Sequence, residues 1–291
     1  MNGNLNIRAM QRDEVDRLVG WAAEEGWNPG TGDAAIFWAN DPQAFIAAEL
    51  DGELIGGGAI TAYGERFGFM GFFLMRPEFR GRGLGNRLWL ARRDRLQARL
   101  APGATIGMDG VAHMQAYYAR GGFVFSHRNL RFCGQGGEAG RPDARPAGSE
   151  IVPLAAVDPA VLAAYERSCF PAPRPVFLKH WIAGDDRLAL GLVRDGELAG
   201  YGVVRTCRVG CKIGPLFADD EAAADALLTR LSGFAAGGPV FLDVPETHAA
   251  AMALARRHGM DEVFGCARMY LGPVPQVRED RIFGVTTFEV G

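Results

Sequence analysis

Apolar positions recur with two different periods along the first 135 residues. Between 12 and 25 they fall at Val15, Leu18, Val19 and Ala22, a spacing that lays one apolar stripe along a helix. Gly26 marks its end, and GWNPGTG (26–32) reads as a loop. NIRAM (6–10) is a short strand before this helix, and a second short helix is expected around Ile36 to Ala39. Two strand-like runs, 44–50 and 53–62, are separated by Asp51 and Gly52, residues that accept the positive φ a type I′ hairpin turn demands. FGFMGFFLM (67–75) is apolar throughout and short enough for a strand buried on both faces. A helix follows over about 83–100, with Leu84, Leu88 and Ala91 on one side. TIGMD (105–109) is a strand, AHMQAYYARGG (112–122) a short helix, and FVFSHRNLRF (123–132) a long strand or strand pair. The order is β-α-α-β-β-β-α-β-α-β.

Residues 134–149, GQGGEAGRPDARPAGS, hold no large apolar side chain and read as a linker or surface crossing. It divides the chain into an N-terminal domain, 1–133, and a C-terminal domain, 150–291, and these halves resemble each other. AAELDGELIGGG (47–58) stands against GLVRDGELAGYG (191–202), sharing the Asp-Gly hairpin. LMRPEFRGRGLGNRL (74–88) stands against IGPLFADDEAAADALL (213–228), aligned on Pro77 and Pro215. YYARGGF (117–123) stands against LARRHGM (254–260).

The 291 residues are 48% hydrophobic and 22% charged, ample for two globular cores. A net charge of −3 gives no general attraction to nucleic acid or to an acidic membrane surface. No apolar run approaches the roughly 18 residues of a membrane span, and the first residues carry charges where a signal peptide is apolar. The expected compartment is the cytoplasm. Five scattered cysteines read as buried free thiols; Cys207 and Cys211 lack a second pair to complete a zinc site, and no metal is expected.

The candidate chemistry lies in Arg80-Gly81-Arg82-Gly83-Leu84-Gly85, between a buried strand and a helix. At a helix start the first backbone N–H groups lack partners and carry partial positive charge, and glycines let an oxygen-rich group come close. The ligand this favours is a phosphate or pyrophosphate; the plain alternative is a glycine-rich turn with solvated arginines. There is no Gly-x4-Gly-Lys-Ser/Thr, and no first strand of a βαβ unit precedes the loop, so neither a P-loop nor a dinucleotide fingerprint is present.

Arg80-x-x-Gly83-x-Gly85 after an apolar strand resembles motif A of the GNAT superfamily of N-acetyltransferases, and AYYARGGF (116–123) resembles its motif B. The whole chain, with EEGWNPG (24–30) and the closing RMYLGPVPQVREDRIFGVTTFE (268–289), is similar to bacterial YitH-like tandem-GNAT proteins. The resemblance implies an α/β fold with a mixed (α+β) sheet: two tandem GNAT-like domains, each a mostly antiparallel sheet flanked by helices. It implies that Arg80, Gly81, Arg82, Gly83, Leu84, Gly85 and Asn86 hold the pyrophosphate of acetyl-CoA. Leu74 and Met75 would pair with the pantetheine arm and offer a backbone N–H to the thioester carbonyl. Tyr118 would be the general acid. For the base the residues leave Asp109, His113, Glu24 and Glu25 open, with Asp109 preferred; Trp27, Asn28 and His113 are the acceptor-site candidates.

The arginines at 87, 92, 93, 95 and 99 read as a solvated helix face. The second half has no glycine between Pro215 and Ser232, and Asp219, Asp220 and Glu221 stand where the loop would be. That half, with Ala255 in place of Tyr118, is expected to have lost the cofactor and to close the acceptor cleft, Asp243, Glu246 and Arg268 reaching toward it. Thr247 is a candidate helix cap. The expected activity is direct transfer of an acetyl group from acetyl-CoA to a primary amine of a small molecule or peptide, with no nucleic-acid or membrane partner; a homodimer is left open. The alternative is a non-catalytic acyl-CoA-binding or sensor protein.

Overall fold

A computed structural model describes residues 3–137 and 145–291. The elements of the first half follow the apolar pattern closely: β1 (Leu5–Ala9), α1 (Arg12–Glu24), α2 (Asp33–Asn40), β2 (Phe45–Leu50), β3 (Glu53–Tyr63) and β4 (Phe67–Met75). Then come α3 (Leu84–Ala98), β5 (Thr105–Val111), α4 (Gln115–Arg120) and one long strand, β6 (Val124–Gln135). The second half repeats the plan with β7 (Ser149–Pro153), α5 (Pro159–Cys169), α6 (Pro175–Trp181), β8 (Arg187–Arg194), β9 (Glu197–Thr206) and β10 (Cys211–Ala218). After these follow α7 (Glu221–Ser232), β11 (Pro239–Pro245), α8 (Ala249–Arg257), β12 (Asp261–Leu271) and the short β13 (Ile282–Gly284). Both Asp-Gly hairpins have positive φ at both turn residues, 51° and 88° at Asp51 and Gly52, 51° and 84° at Asp195 and Gly196. Of the linker, 138–144 lie outside the described residues; its first two residues belong to β6, and Ser149 opens β7.

The two halves share one sheet, in the order β1-β2-β3-β4-β5-β12-β6-β11-β10-β9-β8-β7. The last long strand of each half crosses over. β12 pairs antiparallel with β5 of the first half, and β6 pairs antiparallel with β11 of the second. Each half therefore completes its sheet only with the other present.

In the first half, α3 and α4 cover one face of the sheet over Leu88, Trp89, Leu96 and Ile106. α1 and α2 cover the other over Val15, Leu18, Phe37 and Phe72, and Phe177 and Trp181 of α6 join that same core from the second half. Trp181 stacks on Phe37 with ring centroids 6.1 Å apart. Fully buried Arg205 and Asp33 tie β9 to α2 at 2.9 Å. The chain's last residues then run across to β4: Tyr63 Oη donates to the Val290 carbonyl at 2.7 Å, and a Cβ at Gly71 would fall 1.8 Å from the Glu289 carbonyl oxygen. Glycine at 71 is what lets the C-terminal segment lie there.

The repeat aligns differently from the proline match. Gly71 meets Glu289 as Gly214 meets Thr286, and each opens a bulge in its strand. Pro215 thus lies inside β10, whereas Pro77 follows β4 in a single 3-10 turn. Tyr118 and Ala255 do correspond: Phe123 N–H donates to the Tyr118 carbonyl as Met260 N–H does to that of Ala255.

Candidate active site

β4 and β5 run parallel and pair only from Phe67 and Thr105 to Met70 and Met108. Past Met70 the bulge, with Phe72 at φ 52°, turns β4 away, and the two strands diverge. Arg92 of α3 braces the bulge from beneath. It is fully buried, and its Nη2 donates to the carbonyls of Ala59 and Gly71, both at 2.6 Å. Its Nε and Nη1 have no hydrogen-bond partner among the described residues, and burial pushes the guanidinium down to about 9. The solvated arginine face thus needs correcting: Arg95 bonds the Ile7 carbonyl, Arg99 the Ile60 carbonyl and Asp41, and Arg93 its neighbour Asp94; Arg87 alone is exposed without such a bond among the described residues.

The diverging strands open into a cleft of about 420 Å³. Leu74 and Met75 line it on the β4 side, and Val111 on the β5 side. Gly81, Gly83 and Gly85 line its far end, with Arg80 and Asn86. Gly81 and Gly83 have φ of 73° and 77°, values an L side chain rarely takes, and a Cβ at either would meet nothing within 4 Å. Gly83 is the N-cap of α3, and no side chain caps the helix, so the N–H groups of Leu84, Gly85 and Asn86 are left for a ligand. Arg80 is more than a free cation: its Nε donates to the Met75 carbonyl at 2.7 Å and its Nη2 to Glu25, which locks the loop to β4 and α1. Arg82 is exposed over the Phe79 ring, and Leu84 turns into the core.

Tyr118 sits across the cleft, buried against Trp89 with ring centroids 4.9 Å apart. Its hydroxyl makes no hydrogen bond among the described residues, and the residue lines both the cleft and a smaller cavity of about 50 Å³ behind it. Burial pushes the phenol up to about 12, against the nearby charge of Arg92. Tyr117 instead donates its hydroxyl to Asn86 Oδ1 at 2.9 Å, fixing the loop.

The acceptor candidates divide. Trp27 lines both cavities, and His113 lines the cleft from its exposed rim. Asn28 does not face them: its amide exchanges two hydrogen bonds with the Val209 backbone, both 2.9 Å, and Lys212 Nζ donates to its carbonyl. Asn28 docks the second half. Asp109 lines the smaller cavity, but its carboxylate takes Arg268 Nε and Nη2 at 2.8 and 2.6 Å and Asn129 Nδ2 at 2.9 Å. With three of about four lone-pair positions occupied, it holds strands together and has little room for a substrate proton. Asp109 and Arg268, separate candidates in the sequence, are each other's partner. Glu246 binds Arg128 at the surface, Asp243 binds Arg131 in the interior, and the cap of α8 is His248, which accepts from Ala251 N–H, in place of Thr247.

In the second half, β10 and β11 also diverge after Ile213 and Leu242, but β13 lies in the gap. It pairs with β10 at Leu216 and Phe217, and Val285 N–H donates to the Asp243 carbonyl. Only Asp219 and Asp220 connect β10 to α7, and the Asp220 side chain caps the helix. A cavity of about 410 Å³ remains between Phe217, His248 and Tyr270, and among the described residues no loop like 80–85 lines it.

A strand that splays from its parallel neighbour and leads through a glycine loop to an uncapped helix start forms a slot suited to phosphate oxygens. Family comparison places the chain among acyltransferases. Residues 12–123 match the model described as "Acetyltransferase (GNAT) family" and 162–284 that described as "Acetyltransferase (GNAT) domain". The protein belongs to the GNAT acetyltransferase family and carries two such domains in tandem. It is 26% identical over 272 residues to holothin acyltransferase of Pseudoalteromonas sp. (strain SANK 73390), covering 93% of this chain and 89% of that one. It is 23% identical over 243 residues, 82% of each chain, to the uncharacterized N-acetyltransferase YitH of Bacillus subtilis (strain 168). Among solved structures, a putative acetyltransferase from Pyrococcus horikoshii superposes with a TM-score of 0.80 at 22% identity, over 99% of this chain and 96% of that one. A tandem GNAT protein from the clavulanic acid biosynthesis pathway gives 0.65 at 18% identity, over 93% and 100%. No helix among the described residues is long and apolar enough to cross a membrane.

Proposed function

We propose that the protein transfers an acetyl group from acetyl-CoA to a primary amine of a small molecule or peptide, with the cofactor held by the first domain only. The observation that carries this reading is the asymmetry of the two gaps. The first ends on three free helix N–H groups and positive-φ glycines; the second is filled by β13 and fronted by Asp219 and Asp220. A pyrophosphate is favoured at the first, whereas at the second β13 occupies the gap and the Asp220 side chain already caps the helix start. Acetyl-CoA would supply an acyl group already activated as a thioester. The chain's own residues then orient the arm along the open edge of β4, offer a backbone N–H to the carbonyl, and place the Tyr118 hydroxyl by the departing sulfur. The relative named holothin acyltransferase supports acyl transfer as the reaction for this chain as well.

Calorimetric titration of the full chain with acetyl-CoA tests this directly. One site per chain is expected, with affinity lowered at least tenfold in Arg80→Glu/Arg82→Glu. Two sites, or binding indifferent to the double reversal, would mean that the cofactor lies elsewhere.

A further inference from the structure

Resting on that reading, we infer that Glu289, two residues before Gly291, is the general base that deprotonates the acceptor amine, so that the last segment of the second half completes the active site of the first.

Glu289 is 4% exposed, and its carboxylate makes no hydrogen bond or ion pair among the described residues; Oε2 is fully buried and bare. Leaving a buried carboxylate unpaired is costly, which marks it as a group kept for a ligand. It lines the small cavity behind the cleft together with Tyr118, Trp27 and Phe73. The segment carrying it lies on the α1–α2 side of β4, where Val290 joins that core, whereas Tyr118 belongs to the α3–α4 side. Acid and carboxylate thus approach the gap between β4 and β5 from opposite faces, which gives the amine and the sulfur of a thioester seated there separate proton-handling groups.

The position is fixed tightly. The Glu289 carbonyl lies against Gly71, its N–H donates to Thr287 Oγ1 at 2.9 Å, and Arg174 holds the Gly291 carbonyl. Arg131, Arg205 and Lys212 lie near enough to act on its charge, but they give their hydrogen bonds elsewhere: Arg131 to Asp243, Arg205 to Asp33, and Lys212 to the Asn28 carbonyl. Asp109, on the same cavity, is held by Arg268. Glu289 is the one carboxylate of that cavity without a partner among the described residues.

The protons balance. Glu289 takes one proton from the alkylammonium; the freed lone pair forms the C–N bond to the thioester carbonyl carbon, and the C–S bond breaks. Of the two protons the nitrogen loses, one passes from Glu289 to water and the other neutralises the departing thiolate, which the Tyr118 hydroxyl meets as a hydrogen-bond donor.

The test compares the full-length protein with Glu289→Gln and Glu289→Asp, using acetyl-CoA with either an alkylamine (benzylamine or ethylamine), charged at neutral pH, or aniline, which is not. Thiol release gives the rates, and calorimetry the cofactor affinity. For Glu289→Gln we expect kcat with the alkylamine to fall about 10²- to 10³-fold. The aniline rate should fall far less, acetyl-CoA affinity should hold, and Glu289→Asp should recover part of the loss. An equal loss with both amines, accompanied by a lower Tm, would make Glu289 a structural counter-charge to Lys212 and overturn the inference. So would unchanged alkylamine rates, or a wild type that binds acetyl-CoA yet acylates no small alkylamine. Absent acetyl-CoA binding in the wild type would instead bring down the functional reading itself.

Discussion

Tyr118→Phe lowers kcat for acyl transfer about a hundredfold while leaving acetyl-CoA affinity within about threefold. The hydroxyl bonds nothing else among the described residues, and a phenylalanine keeps the ring against Trp89, so the substitution removes one function and little stability. The size follows from the acid's strength. Held up to about 12, the phenol stays protonated at neutral pH but lies above a thiol near 8.5, so complete transfer to the sulfur runs uphill. Its contribution is then closer to a charge-assisted hydrogen bond to the developing thiolate, about 2–3 kcal/mol, with Arg92 easing any charge that shifts to the oxygen. At 1.36 kcal/mol per factor of ten this is roughly 30- to 150-fold. Thiol-release rates and calorimetry on both proteins check it. A kcat within fivefold of wild type would remove Tyr118 from the chemistry. Retained binding with no turnover in either protein, across amines, would favour an acyl-CoA sensor.

Local features of the fold were legible because local forces decide them. The apolar stripe of α1, the Asp-Gly turns and the wholly apolar β4 each state their conformation within a few residues. The glycine loop was legible for the same reason, since positive φ at Gly81 and Gly83 leaves its mark in the sequence. Three things were not. The helix after the loop buries Leu88, Arg92 and Leu96 at i, i+4 and i+8, but an arginine in the middle of that row reads as a solvent position, and only the carbonyls at a distant bulge make it an interior one. The crossing of β6 and β12 escaped because an antiparallel strand carries no label for its partner: β12 meets the same alternating surface whether it pairs within its own half or with β5. Asp109 and Arg268 depend on that crossing for their partners, and Asn28 on the docking of the second half. Each looked like a free polar group near a cleft, and each is spent on joining the halves. Glu289 was missed from the opposite side, being far along the chain from either motif and close to the site only through the course of the last residues.

Asp243→Ala is expected to cost about 3–5 kcal/mol and lower Tm by on the order of 10 °C. Asp243 on β11 takes Arg131 Nε and Nη2 of β6 at 2.7 and 2.8 Å with both side chains buried, so removing the carboxylate strands a guanidinium in the interior. Burial pushes the Asp243 carboxyl up, but the charge and hydrogen bonds of Arg131 outweigh it and leave the carboxyl below its ordinary value. The stability it contributes is therefore present above the unfolded-chain value near 4 and lost as pH falls through the lower folded one. Melting curves from pH 7 to 3 should show wild type losing its advantage over the variant toward the acid end; a constant gap would contradict the pairing. Adding Arg131→Met removes the stranded charge and should restore most of the stability. It should not restore acyl transfer, because Arg131 Nη1 also donates to the Trp27 carbonyl at 2.8 Å and Trp27 lines both cavities of the site. A double variant that regains stability and activity together would show the crossed strands to be scaffold alone; stability without activity would make them part of how the acceptor end of the site is held.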